Sequence, residues 1–416
     1  MSGPSTPSPT PPDVVPLSGE WCAHHFDHRS HELGQHLHET MARMRAQCPV
    51  AHSDAHGGFW VVTRYEDVLG AAQDWRTFSS AAGVAVPSTQ MVLPAIPEHL
   101  DPPLQRVFKR LINAYFTPAV VSEYEAPTRR IVTRLIDAFV EAGECEFMEA
   151  FARPLPGLAF FELVLNAPPE EVADVNALAS GATNPSNPDV RACWEGLIAW
   201  IEAFVERRRA GSPKGDVVDA VLNAEIEGRP ITHEEILGTI QLLILGGLDT
   251  TAGALGQFVM RFAVEPAIPG LLRRRPELLA DAVEELLRLE GPFVGIGRTT
   301  TCATEIDGHA IGQGEKVIIY FTSANRDEAE FPHPDEFDLD RERNRHLTFG
   351  AGPHRCAGSN LARLNLRISV SEIVRRLPDL ALGVPAEEIQ FHSVFNRAPL
   401  AVPITFRPGA REGAAG

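Results

Sequence analysis

HLTFGAGPHRCAGSNLARLNLR, residues 346–367, places two glycines and a proline ahead of a single cysteine, Cys356, and follows it with Ala357, Gly358 and an amphipathic run. That run predicts a final helix over about 357–376, so the cysteine falls at a helix N-terminus. The positive end of the helix dipole and the unpaired backbone N–H groups there both favour a thiolate. Gly350 and Gly352 permit a tight turn around the sulfur, and Gly358 lets a flat ligand lie close to the backbone. Two readings stay open on these residues alone. One is a buried structural cysteine in a glycine-rich turn; the other is a soft anionic ligand offered to a metal, as one axial thiolate is offered to a haem iron. The cysteines at 22, 48, 145, 193 and 302 are scattered, form no CxxC pair and read as reduced thiols.

About a hundred residues upstream, LLILGGLDTTAG (242–253) interrupts an apolar helix with two glycines, an aspartate and two threonines. Thr232 with Glu235 fits a capping box, and the helix should run to about Val264, just before Pro266. At about 1.5 Å per residue it would be about 48 Å long and cross the whole molecule. Each glycine inside it costs about 1 kcal/mol relative to alanine. A kink with a solvent-facing Asp249 is one reading, and a groove for a small ligand is the other. In the next predicted helix, Glu285 and Arg288 stand at i and i+3 and can pair, on the surface or beneath something.

The remainder is mainly α with a minor β region. GFWVVTRYEDVLGAAQDW, from Gly58, reads as a short strand and then a helix from near Tyr65. Residues 81–100 carry three prolines and no periodicity, and read as a long loop of the kind that tends to be functional. Helical patterns dominate from 104 to about 290, EIEGRPIT (225–232) reads as a hairpin or turn, and GEKVIIYF is strand-like. With 416 residues and 44% apolar content the chain can bury a large core. It reads as one unit over 18–410, between a disordered Pro/Ser-rich tail (1–17) and a flexible C-terminal tail (411–416). The apolar run near 236–248 is shorter than the roughly 20 residues a bilayer requires. No signal peptide is recognisable, so a cytoplasmic protein without a membrane anchor is expected. A net charge of −18 argues against nucleic acid as a partner.

FGAGPHRCAG resembles the FxxGxxxCxG haem-binding loop of the cytochrome P450 family, the haem-thiolate monooxygenases. Three other stretches match family motifs in the proper order: DPPLQRVFKRLI (101–112), GGLDTT (246–251) and Glu285-Leu-Leu-Arg288. The similarity spans about residues 20–408. It implies the cytochrome P450 fold, a triangular helical prism with a long central helix and small sheets. It also implies haem b with Cys356 as the axial ligand to iron, cradled by Phe349, Gly350, His354 and Gly358. Arg298, His354, Lys109 and Gln105 would meet the haem propionates; many bacterial members carry histidine and arginine where this chain has Gln105 and Lys109. Arg106 reads as a surface residue. Glu285, Arg288 and Arg341 would form a structural trio beneath the haem.

The same resemblance gives Gly246 and Gly247 the task of leaving room for O2, Thr250 that of hydrogen-bonding it and Asp249 that of supplying protons through water; Thr251 is assigned to packing. A pocket would be lined by Leu93, Leu242, Leu245, Val294, Ile296, Val394 and Phe395, residues that core packing explains equally well. Their apolar character favours a hydrophobic terpenoid, steroid-like or aromatic substrate over a fatty acid. No flavin or iron-sulfur segment is recognisable, so electrons should come from a separate ferredoxin and ferredoxin reductase. Arg355, Arg363, Arg367, Lys109 and Arg110 form either a docking patch or a solvated face. The family habit implies a monomer. A peroxygenase, a coupling or rearrangement catalyst, and a non-catalytic haem or ligand-binding protein are the competing functions, and the Asp249–Thr250 pair favours oxygen activation.

Overall fold

The central helix organises the chain in the computed structural model, which describes residues 18–87, 93–183, 187–393 and 395–413. It runs His233–Val264, and the capping box that starts it is complete: Thr232 Oγ1 accepts from the Glu235 N–H at 3.2 Å, and Glu235 Oε2 accepts from the Thr232 N–H at 2.8 Å. By length and composition this helix would span a bilayer, yet most of its apolar stretch is buried inside the protein. Ile240, Ile244, Leu255, Phe258 and Phe262 are fully or almost fully buried in the largest apolar cluster. Burying such side chains contributes roughly 1.5–3 kcal/mol each, which offsets the glycines.

Two of those glycines have a packing reason. A Cβ on Gly256 would come within 2.5 Å of Met148 Sδ and 2.7 Å of Pro399 Cγ, and one on Gly253 within 3.1 Å of both Ala398 and Pro292. Their absence lets the strand Arg397–Pro399 lie directly on the helix.

Around this helix stand Leu104–Asn113, Glu125–Asp137, Val190–Ala210, Leu279–Glu290 and Ser359–Arg376. The last begins two residues later than the sequence pattern predicts, because Gly358 occupies its N-cap. A five-stranded sheet follows the order Val50–Ser53, Phe59–Val62, Lys316–Ile319, Ile296–Thr300, Phe78–Ser79. Val317 pairs in parallel with Trp60 and antiparallel with Arg298, which fixes Arg298 in the sheet interior. The hairpin at Glu225–Ile226 and Arg229–Pro230 is present. Residues 81–87 and 93–100 contain neither helix nor strand.

Three short helices went unread in the sequence: Gly19–His25, His31–Gln35 and Leu37–Gln47. Ser18 and Ser30 cap the first two, accepting from Trp21 and Leu33 N–H at 3.0 Å. Two π-helical turns, Met148–Ala152 and Phe160–Val164, were also missed. The Pro/Ser-rich tail 1–17 lies outside the described residues. Of the C-terminal tail, residues 411–413 are not free. The Glu412 and Gly413 N–H groups donate to the Asp137 carboxylate at 3.1 and 2.8 Å, and Arg375 holds the Glu412 carboxylate at 2.6 Å. Residues 414–416 lie outside the described residues.

Candidate active site

Cys356 sits where the 350s turn meets Ser359–Arg376. Gly350 and Gly352 both adopt φ +66°, a conformation that disfavours any side chain, and a Cβ on Gly352 would strike the Ala72 carbonyl at 2.5 Å. The turn closes when the Cys356 N–H donates to Phe349 O at 2.8 Å and the Gly350 N–H to Leu347 O at 2.8 Å. Two side chains from Leu104–Asn113 brace it: Gln105 Nε2 donates to Pro353 O at 2.7 Å, and Lys109 Nζ to Arg355 O at 2.5 Å. Both residues therefore hold the backbone of the cysteine loop, a role the sequence did not show.

The sulfur is exposed by area, yet desolvation is the chief influence on it and pushes the thiol pKa up. Lys109, the Gly358 N–H, Arg355 and Arg363 pull the pKa back down without overcoming burial. The backbone N–H at Gly358 does favour thiolate, as the turn implies, and burial opposes it.

Arg298 is buried, and its guanidinium donates to Gly297 O at 2.9 Å while standing 3.7 Å from Glu98. His354 Nδ1 lies 3.8 Å from the other Glu98 oxygen, and His354 Nε2 3.3 Å from Ser80 Oγ. Burial pulls the pKa of both residues below the ordinary value, against the attraction of Glu98. Glu98, in the aperiodic loop, stands between Arg298 and His354, a placement with no signal in the sequence. The buried guanidinium has one close acceptor, Gly297 O, and keeps further donors for a second anion beside Glu98. Gln105 Oε1 is likewise buried without a hydrogen bond. On the open side, a Cβ on Gly358 would find nothing nearer than Cys356 Sγ, at 4.0 Å. The open space at Gly358 bordered by the Cys356 sulfur, with the donors of Arg298, His354 and Lys109 nearby, fits a flat, iron-bearing, dianionic haem.

Beneath the loop, Glu285 receives Arg288 through two hydrogen bonds of 2.8 and 2.7 Å and Arg341 at 2.8 Å, all buried or nearly so. Asn344 and the Asp338 N–H complete the carboxylate at 3.1 Å each. Arg288 also donates to the carbonyls of Asn325, Pro334 and Glu336. Asn325 links this knot to the loop, donating to Thr348 Oγ1 at 2.9 Å and accepting from the Leu347 N–H at 2.6 Å.

On the central helix, Thr250 Oγ1 donates to Gly246 O at 3.2 Å, and Asp249 borders a cavity of about 840 Å³. Thr251 is buried. The two glycines differ. A Cβ on Gly246 would meet open space, whereas one on Gly247 would press on the Phe160 ring at 3.2 Å. Gly247 thus makes room for an aromatic ring, not for a diatomic ligand.

Of the pocket residues, Leu245 and Phe395 share the cavity wall with Asp249. Val294 and Ile296 are buried and border a space of about 10 Å³ behind Phe395, room for about one water. Leu93 is buried in the main apolar cluster, Leu242 is half-buried and off the cavity wall, and Val394 lies outside the described residues. The wall is less apolar than expected, since Arg29, Asn176, Ser180 and Asn396 join it. Arg153 and Glu149 stand there too, paired with each other.

The family model for Cytochrome P450 matches residues 272–378. Steroid C26-monooxygenase of Mycobacterium tuberculosis (strain CDC 1551 / Oshkosh) is 34% identical over 348 residues, which cover 82% of this chain and 91% of that protein. Linalool 8-monooxygenase of Pseudomonas putida is 30% identical over 359 residues, 80% of this chain and 86% of that protein. Among solved structures, the cytochrome P450 PksS of the Bacillus subtilis 168 bacillaene polyketide synthase superposes with a TM-score of 0.84 at 26% identity, covering 92% of this chain and 99% of that one.

Proposed function

The chain belongs to the cytochrome P450 family of monooxygenases, and from that membership we propose that it uses O2 and two external electrons to hydroxylate or epoxidise a small-to-medium hydrophobic substrate. The observation that carries the reading is Asp249 on the wall of a half-open cavity of about 840 Å³, beside Leu245, Ala252 and Gly253 of the same helix. A cavity of that size takes a molecule of terpenoid or steroid dimensions. Relatives named for steroid and linalool oxidation support that class.

Cys356 would hold the haem iron as thiolate, with Arg298, His354 and Lys109 offering donors to the propionates and Gln105 bracing the loop. Bound haem supplies the oxygen chemistry, and the thiolate pushes electron density toward O–O cleavage. Asp249 holds an exchangeable proton at the wall and passes it through water toward the helix groove. Thr250 turns its hydroxyl between the Gly246 carbonyl and that groove. Gly246, with open space in place of a side chain, keeps the groove clear. Leu245 and Phe395 exclude water from the substrate's side. Arg29, Asn176 and Asn396 favour a substrate carrying a polar group away from the reacting carbon.

Electrons would arrive from a separate ferredoxin served by a ferredoxin reductase, in a protein acting as a cytoplasmic monomer. The docking face is narrower than the sequence implied. Arg363 forks onto Glu284 and stacks on Phe349, leaving exposed Arg355, Arg367 and Arg110 as the cations for an acidic partner. The deciding experiment is the reduced, carbon monoxide-bound absorption spectrum, followed by spin-state titration with terpenes and steroids. The red-shifted thiolate band and a substrate-induced shift are expected; absence of the band overturns the haem-thiolate reading.

A further inference from the structure

We propose that Asp27, His28 and His56 form a second metal site, separate from Cys356, for a divalent transition cation of the zinc class. Asp27 and His28 lie between the helices Gly19–His25 and His31–Gln35, and His56 lies in the turn after the strand Val50–Ser53. One ligand atom from each residue falls within 4.8 Å of the other two. His56 Nε2 stands 2.7 Å and His28 Nδ1 4.0 Å from Asp27 Oδ1. Drawing three such atoms onto one cation at about 2.0–2.2 Å requires small side-chain rotations.

His28 points to the ligand. It is 7% exposed, and its Nδ1 is buried with no hydrogen-bond partner. Its ring is held edge-on against the Phe59 ring, with centroids 5.0 Å apart. A neutral imidazole keeps a lone pair on its unprotonated nitrogen, which is what a metal takes. Burial also keeps the ring neutral, with its pKa pulled down to about 4. An orphaned, buried acceptor facing a carboxylate and a second imidazole is costly to leave unfilled.

The donor set selects the metal. Two imidazoles and one carboxylate suit zinc, nickel or cobalt and not calcium or magnesium, and they leave a fourth position open to water. The Asp27 side chain is 41% and that of His56 23% exposed, so the cation has an entry path. Binding requires His56 Nε2 unprotonated, so the neutral ring carries its hydrogen on Nδ1. His28 and Val86 line one small space, and Val86 also lies on the wall of the large cavity.

Two neighbouring donor groups compete. Asp54 stands 3.4 Å from His24 and 3.3 Å from His52, and the sulfurs of Cys22 and Cys48 are 3.4 Å apart. The test is calorimetric titration of the tag-free, haem-loaded protein with Zn2+, with metal content checked by mass spectrometry. One zinc per chain is expected, weakened at least about tenfold by His56→Gln and by Asp27→Asn. His52→Gln and Cys22→Ser should leave it unchanged. Circular dichroism checks that the His56→Gln and Asp27→Asn variants keep the fold. No saturable binding, or binding indifferent to His56→Gln and Asp27→Asn, overturns the proposal.

Discussion

Thr250 Oγ1 reaches the carbonyl oxygen of Gly246, one turn back on the central helix, across 3.2 Å. That is the long end for an O–H donor, so the hydroxyl is parked on its own helix and can turn to a better acceptor at small cost. Thr250→Ala should cut product by roughly tenfold or more while hydrogen peroxide is released in its place, and Thr250→Ser should stay near wild type. Product and peroxide yields per pair of electrons delivered check this. Full activity of Thr250→Ala, driven by added peroxide, would favour a peroxygenase.

Glu285 carries two buried arginines. Glu285→Ala leaves the guanidiniums of Arg288 and Arg341 without their carboxylate, and breaking a buried pair costs about 3–5 kcal/mol. Haem content should collapse and the urea midpoint should fall, both measurable on purified protein. Arg341→Lys keeps the charge but loses the fork to Pro332 and His333 carbonyls, so its loss should be smaller.

The arginines near Cys356 should separate into two classes. Arg367→Glu and Arg110→Glu change exposed cations, and should slow reduction by an acidic ferredoxin, weaken its salt dependence and spare substrate affinity. Arg363→Ala instead removes the support of Phe349 and Glu284, and should disturb the haem spectrum even without a partner. Stopped-flow reduction with optical spectra of each variant distinguishes the two effects.

Glu284 sets an acid limit. Burial would raise its carboxyl, but hydrogen bonds from His346 and Arg363 overrule burial and hold the pKa at about 2, below the ordinary 4.5. A depressed carboxyl contributes stability that is fully present above about 4.5 and is lost as pH falls toward 2. With solvent screening allowed for, this amounts to roughly 1–2 kcal/mol. Glu284→Gln should lower stability at pH 6 and flatten its decline between pH 5 and 3, as read by urea unfolding at each pH.

What the sequence revealed follows from range of interaction. The capping box at Thr232 and Glu235, the Cys356 turn and the Glu285–Arg288 pair are local patterns, and each appears in the fold with the geometry its spacing implies. Glu98, Asn325 and Phe160 could not be read, because their partners lie more than twenty residues away and their neighbours carry no period. The helices before residue 48 are short, so capping serines and tertiary packing, not periodicity, hold them. Arg363 was misjudged for the same reason: its charge is visible in the sequence, but its pairing with Glu284 is not.

The glycines of the central helix give opposite forecasts from one substitution. At Gly246 a methyl enters open space, so Gly246→Ala should recover up to about 1 kcal/mol of helix propensity and leave the fold intact. The same methyl narrows the groove beside Thr250, so oxygen-dependent turnover should fall while substrate still binds. At Gly256 the methyl would stand 2.5 Å from Met148 Sδ and 2.7 Å from the Pro399 ring, and overpacking of that kind costs about 1–3 kcal/mol. Gly256→Ala should therefore lower the thermal midpoint and loosen the strand Arg397–Pro399 against the helix. Thermal unfolding and carbon monoxide binding rates on both variants test the pair. A loss of stability in Gly246→Ala would show that the space beside it is filled, and the assignment of that glycine to the oxygen groove would then fail.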